Sequence, residues 1–152
     1  MKRTSFDDMN CSLARTLEVV GEWWTLLIIR EALWGTSRFD EFQRRLGIAR
    51  NILTVRLKGL EAHGLMIRLP EGGYGLTDKG RALFPTIVAL MQWGDDWLHA
   101  ELGAPIVFQD IATGHFIQRI GIRDAKGQDL PPDQIAIRAG PGATVRTKAR
   151  AG

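Results

Sequence analysis

Asn51, Val55, Lys58 and Ala62 recur at the three- to four-residue spacing that lines one face of a helix, with Arg50 and Thr54 on its flank. The chemistry of that set suits nucleic acid. An Asn amide pairs with adenine through two hydrogen bonds, an Arg guanidinium pairs with guanine, and Val and Thr methyl groups meet thymine. Lys58, farther along the helix, suits a phosphate, a contact that positions a protein without specifying sequence. Arg38 and Arg44, upstream, are further phosphate candidates. A solvated amphipathic helix would carry similar residues, so the surrounding elements have to decide.

Leu53, Leu57 and Leu60 define the opposite, inward face of this helix, which spans about 49–63. Before it comes a helix over 38–46 with Phe39, Phe42 and Leu46 inward, closed by the short link Gly47-Ile48. Two more precede that one: 12–20, with Leu13, Leu17 and Val20 on one face, and 23–33, apolar enough to be buried on most sides. Arg56 lies near the inward face and is expected to pair with Glu31 or Glu41. After Gly64, a strand over 65–69, the turn Pro70-Glu71-Gly72-Gly73 and a return over 74–76 form a hairpin with Arg68 as its main basic residue. Thr77 then caps a long helix to about 99, kinked at Pro85. The order predicts a mainly α fold with a small β-hairpin wing, a winged helix-turn-helix whose fourth helix enters the major groove. Residues 11–99 form this domain. A small β-rich C-terminal extension over 106–138 comes next, with short strands at 106–108, 116–117 and 120–122, and then a mobile basic tail over 139–152.

Composition bounds the rest. With 152 residues, 45% hydrophobic and 24% charged, the chain has material for a real core. No apolar run reaches the length of a membrane span, and the start lacks the apolar stretch of a signal peptide, so a cytoplasmic, membrane-free protein is expected. Net charge is only +3, yet basic residues concentrate twice. Between Arg38 and Lys58, six basic residues face only Asp40 and Glu41; between Arg138 and Arg150, four face no acid. A polyanion partner, double-stranded DNA, fits that pattern. No nucleophile–base pair, phosphate-binding glycine loop or metal-ligand spacing is visible, so neither enzyme activity, cofactor nor metal is expected.

Cys11 is the single cysteine, which excludes an intrachain disulfide. It sits at the mouth of the first helix with Arg15 one turn on, a setting that favours a reactive thiolate and makes it a candidate redox sensor. A small packing residue is the competing account. Five tryptophans include Trp23, Trp24, Trp93 and Trp97. With Phe84 and Met91 they could line an aromatic effector pocket or simply pack the core and a dimer seam.

The stretches Cys11–Leu17 and Gly21–Glu31 resemble the start of HxlR-type winged helix-turn-helix transcriptional regulators, of the MarR-like superfamily. Arg38-Phe39-Asp40-Glu41-Phe42, Leu53-Thr54-Val55-Arg56-Leu57, Gly64-Leu65 and Leu76-Thr77-Asp78-Lys79-Gly80 continue the resemblance in order, to about Trp97. It implies a bacterial homodimer, mostly acting as a repressor, joined through the first helix and the helix that begins near Thr77. It also implies an oxidant- or electrophile-sensing role for the matching cysteine. Three departures stand out. The wing turn is shorter than the family's Pro-rich, Arg-containing loop. Ala49 stands where a serine N-cap is common. The extension resembles a small zinc-ribbon-like unit, but Thr113, Arg123 and Lys126 occupy its cysteine positions, which implies a metal-free unit. The combined expectation is a sequence-specific homodimeric repressor on an inverted-repeat operator, answering to an electrophile, an oxidant or a small aromatic effector. A winged-helix protein-interaction module, or a constitutive regulator without effector, is the alternative.

Overall fold

Apolar residues at helical spacing give four helices, which the computed structural model places at α1 (Ser12–Val20), α2 (Trp23–Leu33), α3 (Phe39–Leu46) and α4 (Arg50–Ala62). The structure describes residues 5, 6, 8–98, 101 and 103–151. α2 carries the centre of the core, with Ile28 and Ile29 at 0% exposure and Thr25 and Glu31 buried beside them. Its first residue is different: Trp23 is 88% exposed. A helix needs only one buried stripe, so an apolar run does not imply enclosure on every side. In α1 the buried residues are Ala14 and Val20, whereas Leu13 and Leu17, expected inward, face solvent.

The α3–α4 turn agrees closely with the sequence. Gly47 takes a left-handed backbone, φ +64°, and its N–H donates to the Gln43 carbonyl, closing α3. Residues with a Cβ are strained in that conformation, which is why glycine stands there. α4 starts from Ala49, whose side chain has no cap to offer. Leu53, Leu57 and Leu60 face inward as expected and meet a core that includes Phe42 and Ile48, all at 2% exposure or less.

Strands β1 (Met66–Arg68) and β2 (Tyr74–Leu76) pair antiparallel, with Arg68 opposite Tyr74. The Tyr74 N–H donates to the Ser37 carbonyl at 2.8 Å, which ties the wing to the entry of α3. Thr77 fastens the base of the hairpin to the next helix. Its hydroxyl donates to the Gly64 carbonyl at 2.7 Å and accepts from the Gly80 N–H at 3.1 Å. Gly80 is held against the hairpin so closely that a Cβ there would lie 2.2 Å from the Leu65 carbonyl oxygen.

The single kinked helix expected after Thr77 is instead two: α5 (Asp78–Arg81) and α6 (Phe84–Trp97). Pro85 has no N–H for the Arg81 carbonyl and its ring crowds that oxygen, so the helix breaks and restarts. On the second piece Ile87 and Val88 are buried, whereas Leu90 and Trp97 are exposed.

The chain divides into two units: Met1–Phe84 with Ala139–Gly152, and Pro85–Arg138. This division falls at the start of α6; residue 99, the expected end of the first domain, lies outside the described residues. In the first unit the C-terminal segment, expected as a mobile basic tail, carries a short helix, α7 (Val145–Arg150), capped by Thr144. Asn10 holds it: the Asn10 side-chain oxygen accepts from the Thr144 N–H at 3.1 Å and the Thr147 hydroxyl at 2.6 Å, and its amide donates to the Gly142 carbonyl.

In the second unit the expected strands shrink to two isolated bridges, Gln109↔Phe116 and Arg123↔Asp129. Each closes a turn organised by an aspartate. Asp110 accepts from the Ala112 N–H and the Thr113 hydroxyl; Asp124 accepts from the Lys126 and Gln128 N–H groups. Carboxylates that take up backbone N–H groups locally leave little to pair in a ladder, so turns replace strands. The positions where a zinc ribbon has its ligands do not suit the metal. Thr113 is turned to Asp110, and the Arg123 guanidinium is engaged by Asp129 at 3.2 Å and Gln118 at 2.8 Å.

Candidate nucleic-acid interface

The inward leucines of α4 fix the rotation of its outward face. Asn51, Val55, Lys58 and Ala62 are all exposed, Val55 to 60%, and Thr54 is half-buried. The Thr54 hydroxyl donates to the Arg50 carbonyl at 2.8 Å, so it caps its own helix turn as well as standing beside the exposed face. Lys58 has no ion pair among the described residues, which leaves its ammonium to solvent or a ligand.

The arginines are more constrained than the sequence indicates. Arg50, the first residue of α4, lies 4.8 Å from the centre of the Phe39 ring and 3.5 Å from the Asp40 carboxylate. Arg44 is 76% exposed and reaches Glu41 only at 4.0 Å. Arg38 runs along the wing turn: a Cβ on Gly72 would lie 3.1 Å from its guanidinium. Arg68 stacks 4.0 Å over the Tyr74 ring and pairs with Glu61 at 3.2 Å, so the wing's main basic residue is held back toward α4. Burial raises the Tyr74 phenol above its ordinary value of 10.0, with the Arg68 charge opposing that shift.

Behind this surface, charge pairs tie the helices together. Arg56 pairs with Glu22 at 3.0 Å, not with Glu31 or Glu41. Glu22 stands at the start of α2, within reach of α4, whereas Glu31 is already engaged by Arg30 at 2.8 Å and Arg45 at 3.8 Å. Arg45 also pairs with Glu41 at 3.0 Å. Asp40, Glu61 and Phe39, which hold Arg50 and Arg68, were not singled out as site residues from the sequence. Their types and charges are visible in the sequence, but their pairing with Arg50 and Arg68 is set by how α3, α4 and the hairpin pack.

The other candidates separate. Cys11 is exposed at the start of α1. Trp23, Trp93 and Trp97 are 88%, 57% and 73% exposed, Phe84 is 37% exposed, and Trp24 is half-buried. Trp23, Trp24 and Phe84 belong to the first unit of the chain and Met91, Trp93 and Trp97 to the second. Met91 does line a cavity, of about 150 Å³, but with residues of the extension and no tryptophan.

Comparison with known proteins agrees with this geometry. Residues 19–102 match the family model described as HxlR-like helix-turn-helix. The chain is 41% identical over 137 residues to the uncharacterized HTH-type transcriptional regulator Rv3095 of Mycobacterium tuberculosis, an alignment covering 86% of this chain and 87% of that protein. It is similar to the crystal structure of PA1607, a candidate transcription factor, with TM-score 0.81 and 39% identity over 91% of this chain and 99% of that one. It is also similar to the quinone-bound YodB of B. subtilis, with TM-score 0.53 and 30% identity over 59% of this chain and all of that one. A matched stretch that includes the α3–Gly47–α4 turn and the β1–β2 hairpin, with an alignment to a regulator running almost the full length, places this chain in the HxlR-like helix-turn-helix family of transcriptional regulators.

Proposed function

We propose that the chain acts in the cytoplasm as a homodimeric repressor, each subunit laying α4 in the major groove of one half of an inverted-repeat operator. The observation that carries this reading is the split of α4 into two faces. Leu53, Leu57 and Leu60 are sealed in the core, and Arg50, Asn51, Val55 and Lys58 stand outward. In that arrangement Asn51 and Arg50 read base edges, Val55 and Thr54 offer methyl groups, and Lys58, Arg38 and Arg44 meet phosphates. Arg68 supplies the wing's contact once it leaves Glu61. Leu13 and Leu17 on α1, in the first unit, and Leu90, Trp93 and Trp97 on α6, in the second, each leave exposed apolar surface to offer a second copy. Residues 11–99 then serve DNA binding and dimerisation.

Operator affinity on this reading answers to modification of Cys11, whose thiol is open to an oxidant or electrophile. A relative known in a quinone-bound form supports that choice of chemistry. The test is selection of bound sequences from random duplex DNA by the purified protein. An inverted repeat with half-site centres about 10–10.5 bp apart, or a multiple of that, is expected. A selected motif left unchanged by the double substitution Arg50→Ala/Asn51→Ala would overturn the assignment of α4.

A further inference from the structure

From the second unit we infer a binding site for a small aromatic cation, a protonated or quaternary amine on a single ring. The cavity of about 150 Å³ lies wholly within Pro85–Arg138, between α6 and the turns of the extension. Its size is that of a space that takes one benzene-sized ring. Met91, Ile106, Phe116 and Ile117 give it apolar walls, and three of these show much of their surface to solvent: Ile106 38%, Phe116 66% and Ile117 39%. Covering such surface favours an apolar body.

The polar groups at the cavity select the charge. Gln92 is committed, since its side-chain oxygen accepts from the Ile120 N–H at 2.9 Å. Arg119 is committed too, paired with Asp96 and donating to the Gln92 carbonyl at 3.1 Å. Asp95 alone among the lining carboxylates and cations is half-buried without a hydrogen bond or ion pair among the described residues. A half-buried carboxylate beside an apolar wall gains a partner only if a cation comes with the ligand. An anionic ligand would meet Asp95 and find Arg119 already neutralised. Phe116, in the same wall, is an aromatic ring that can add a second attraction for an ammonium group.

The binding claim stands on this cavity; any effect on operator affinity rests on the regulator reading above. α6 joins the two. One of its faces lines the cavity through Met91, Gln92 and Asp95, and Trp93 and Trp97 stand exposed on the same helix.

The test uses the full-length chain without DNA. Benzyltrimethylammonium, benzyl alcohol and benzoate are titrated by calorimetry, with tryptophan fluorescence as a second readout. Saturable binding of the cation at one per chain is expected, at least tenfold weaker for Asp95→Asn, with benzoate bound at least tenfold more weakly than the cation. Benzyl alcohol should not distinguish the wild type from Asp95→Asn. Unchanged thermal unfolding of Asp95→Asn shows that the fold is kept. No saturable binding of the cation, equal affinity of both proteins for it, or benzoate bound as tightly would overturn the site. Operator titrations are run separately, so a chain that takes up the cation but selects no operator refutes only the regulator reading.

Discussion

The Arg50 guanidinium at the first position of α4 stands 3.5 Å from the Asp40 carboxylate at the start of α3. Both side chains are exposed, 72% and 88%, so the pair contributes little to folding. Its effect falls on DNA instead, because Asp40 occupies a cation that would otherwise meet the nucleic acid. Asp40→Asn should raise affinity for unrelated duplex DNA by about 2–5-fold, the equivalent of the ~0.5–1 kcal/mol of an exposed ion pair. Fluorescence anisotropy at low and moderate salt checks this, and the gain should shrink as salt rises.

Asn51 and Lys58 should fail differently when removed. Asn51→Ala should relax specificity at one base position at a cost of about 1–3 kcal/mol. Lys58→Ala should weaken all sequences alike and flatten the dependence of affinity on salt. Competition between the selected operator and its single-base variants separates the two. If both substitutions shift every sequence equally, Asn51 reads no base.

Glu31 is a buried carboxylate of the first unit, 4% exposed; it pairs with Arg30 of its own helix and, through Arg45, joins α2 to α3. Glu31→Gln removes the charge and keeps the shape. It should cost about 1–3 kcal/mol, since charge-assisted hydrogen bonds at a buried acceptor are lost. In urea titrations the midpoint should fall with an unchanged slope. A loss below about 0.3 kcal/mol would show that the guanidiniums repartner without cost.

The turn at Asp110 should open in acid. The Ala112 N–H and the Thr113 hydroxyl favour the charged carboxylate and hold its pKa below the ordinary 3.8. A folded value below the unfolded one means that the ionised group steadies the turn above pH 3.8, and that this is lost as pH falls through the depressed value. Exchange of the Ala112 amide should quicken over that range relative to the intrinsic rate. In Asp110→Ala its protection should be low throughout and show no such step.

Modification of Cys11 should lower operator affinity if the thiol is the sensor. Binding is measured before and after stoichiometric alkylation, with Cys11→Ser carried through the same treatment. Equal affinity in all samples reduces Cys11 to a surface residue at the start of α1, where the structure places it.

The helix-turn-helix was legible because its signals are local and agree. Leu53, Leu57 and Leu60 keep helical period, Gly47 marks the turn, and Thr77 caps. Burial of α1 and α2 was not legible, since periodicity says which residues share a stripe but not which stripe a neighbour covers; Leu13 and Trp23 show this. Pro85 signals a kink by its type, whereas the full break into α5 and α6 is seen only in the structure. The partners of the basic face escaped because they lie across the fold: Asp40 from Arg50 and Glu61 from Arg68 are met only once α3, α4 and the hairpin are assembled. In the extension, β-branched residues pointed to strands, while Asp110 and Asp124 drew the backbone N–H groups into turns.

Because Asn10 grips α7, both ends of the described chain belong to the first unit, and Pro85–Arg138 is spliced into it as an insertion. The second unit is thus tethered at two points, one leading to α5 and the other to α7. A pull on the second tether is felt at Asn10, the residue next to Cys11 at the head of α1. Fusing a bulky tag behind α7 therefore loads the start of α1, whereas circular permutation that joins the two ends of this chain and opens it among the turns of the insertion leaves that attachment whole.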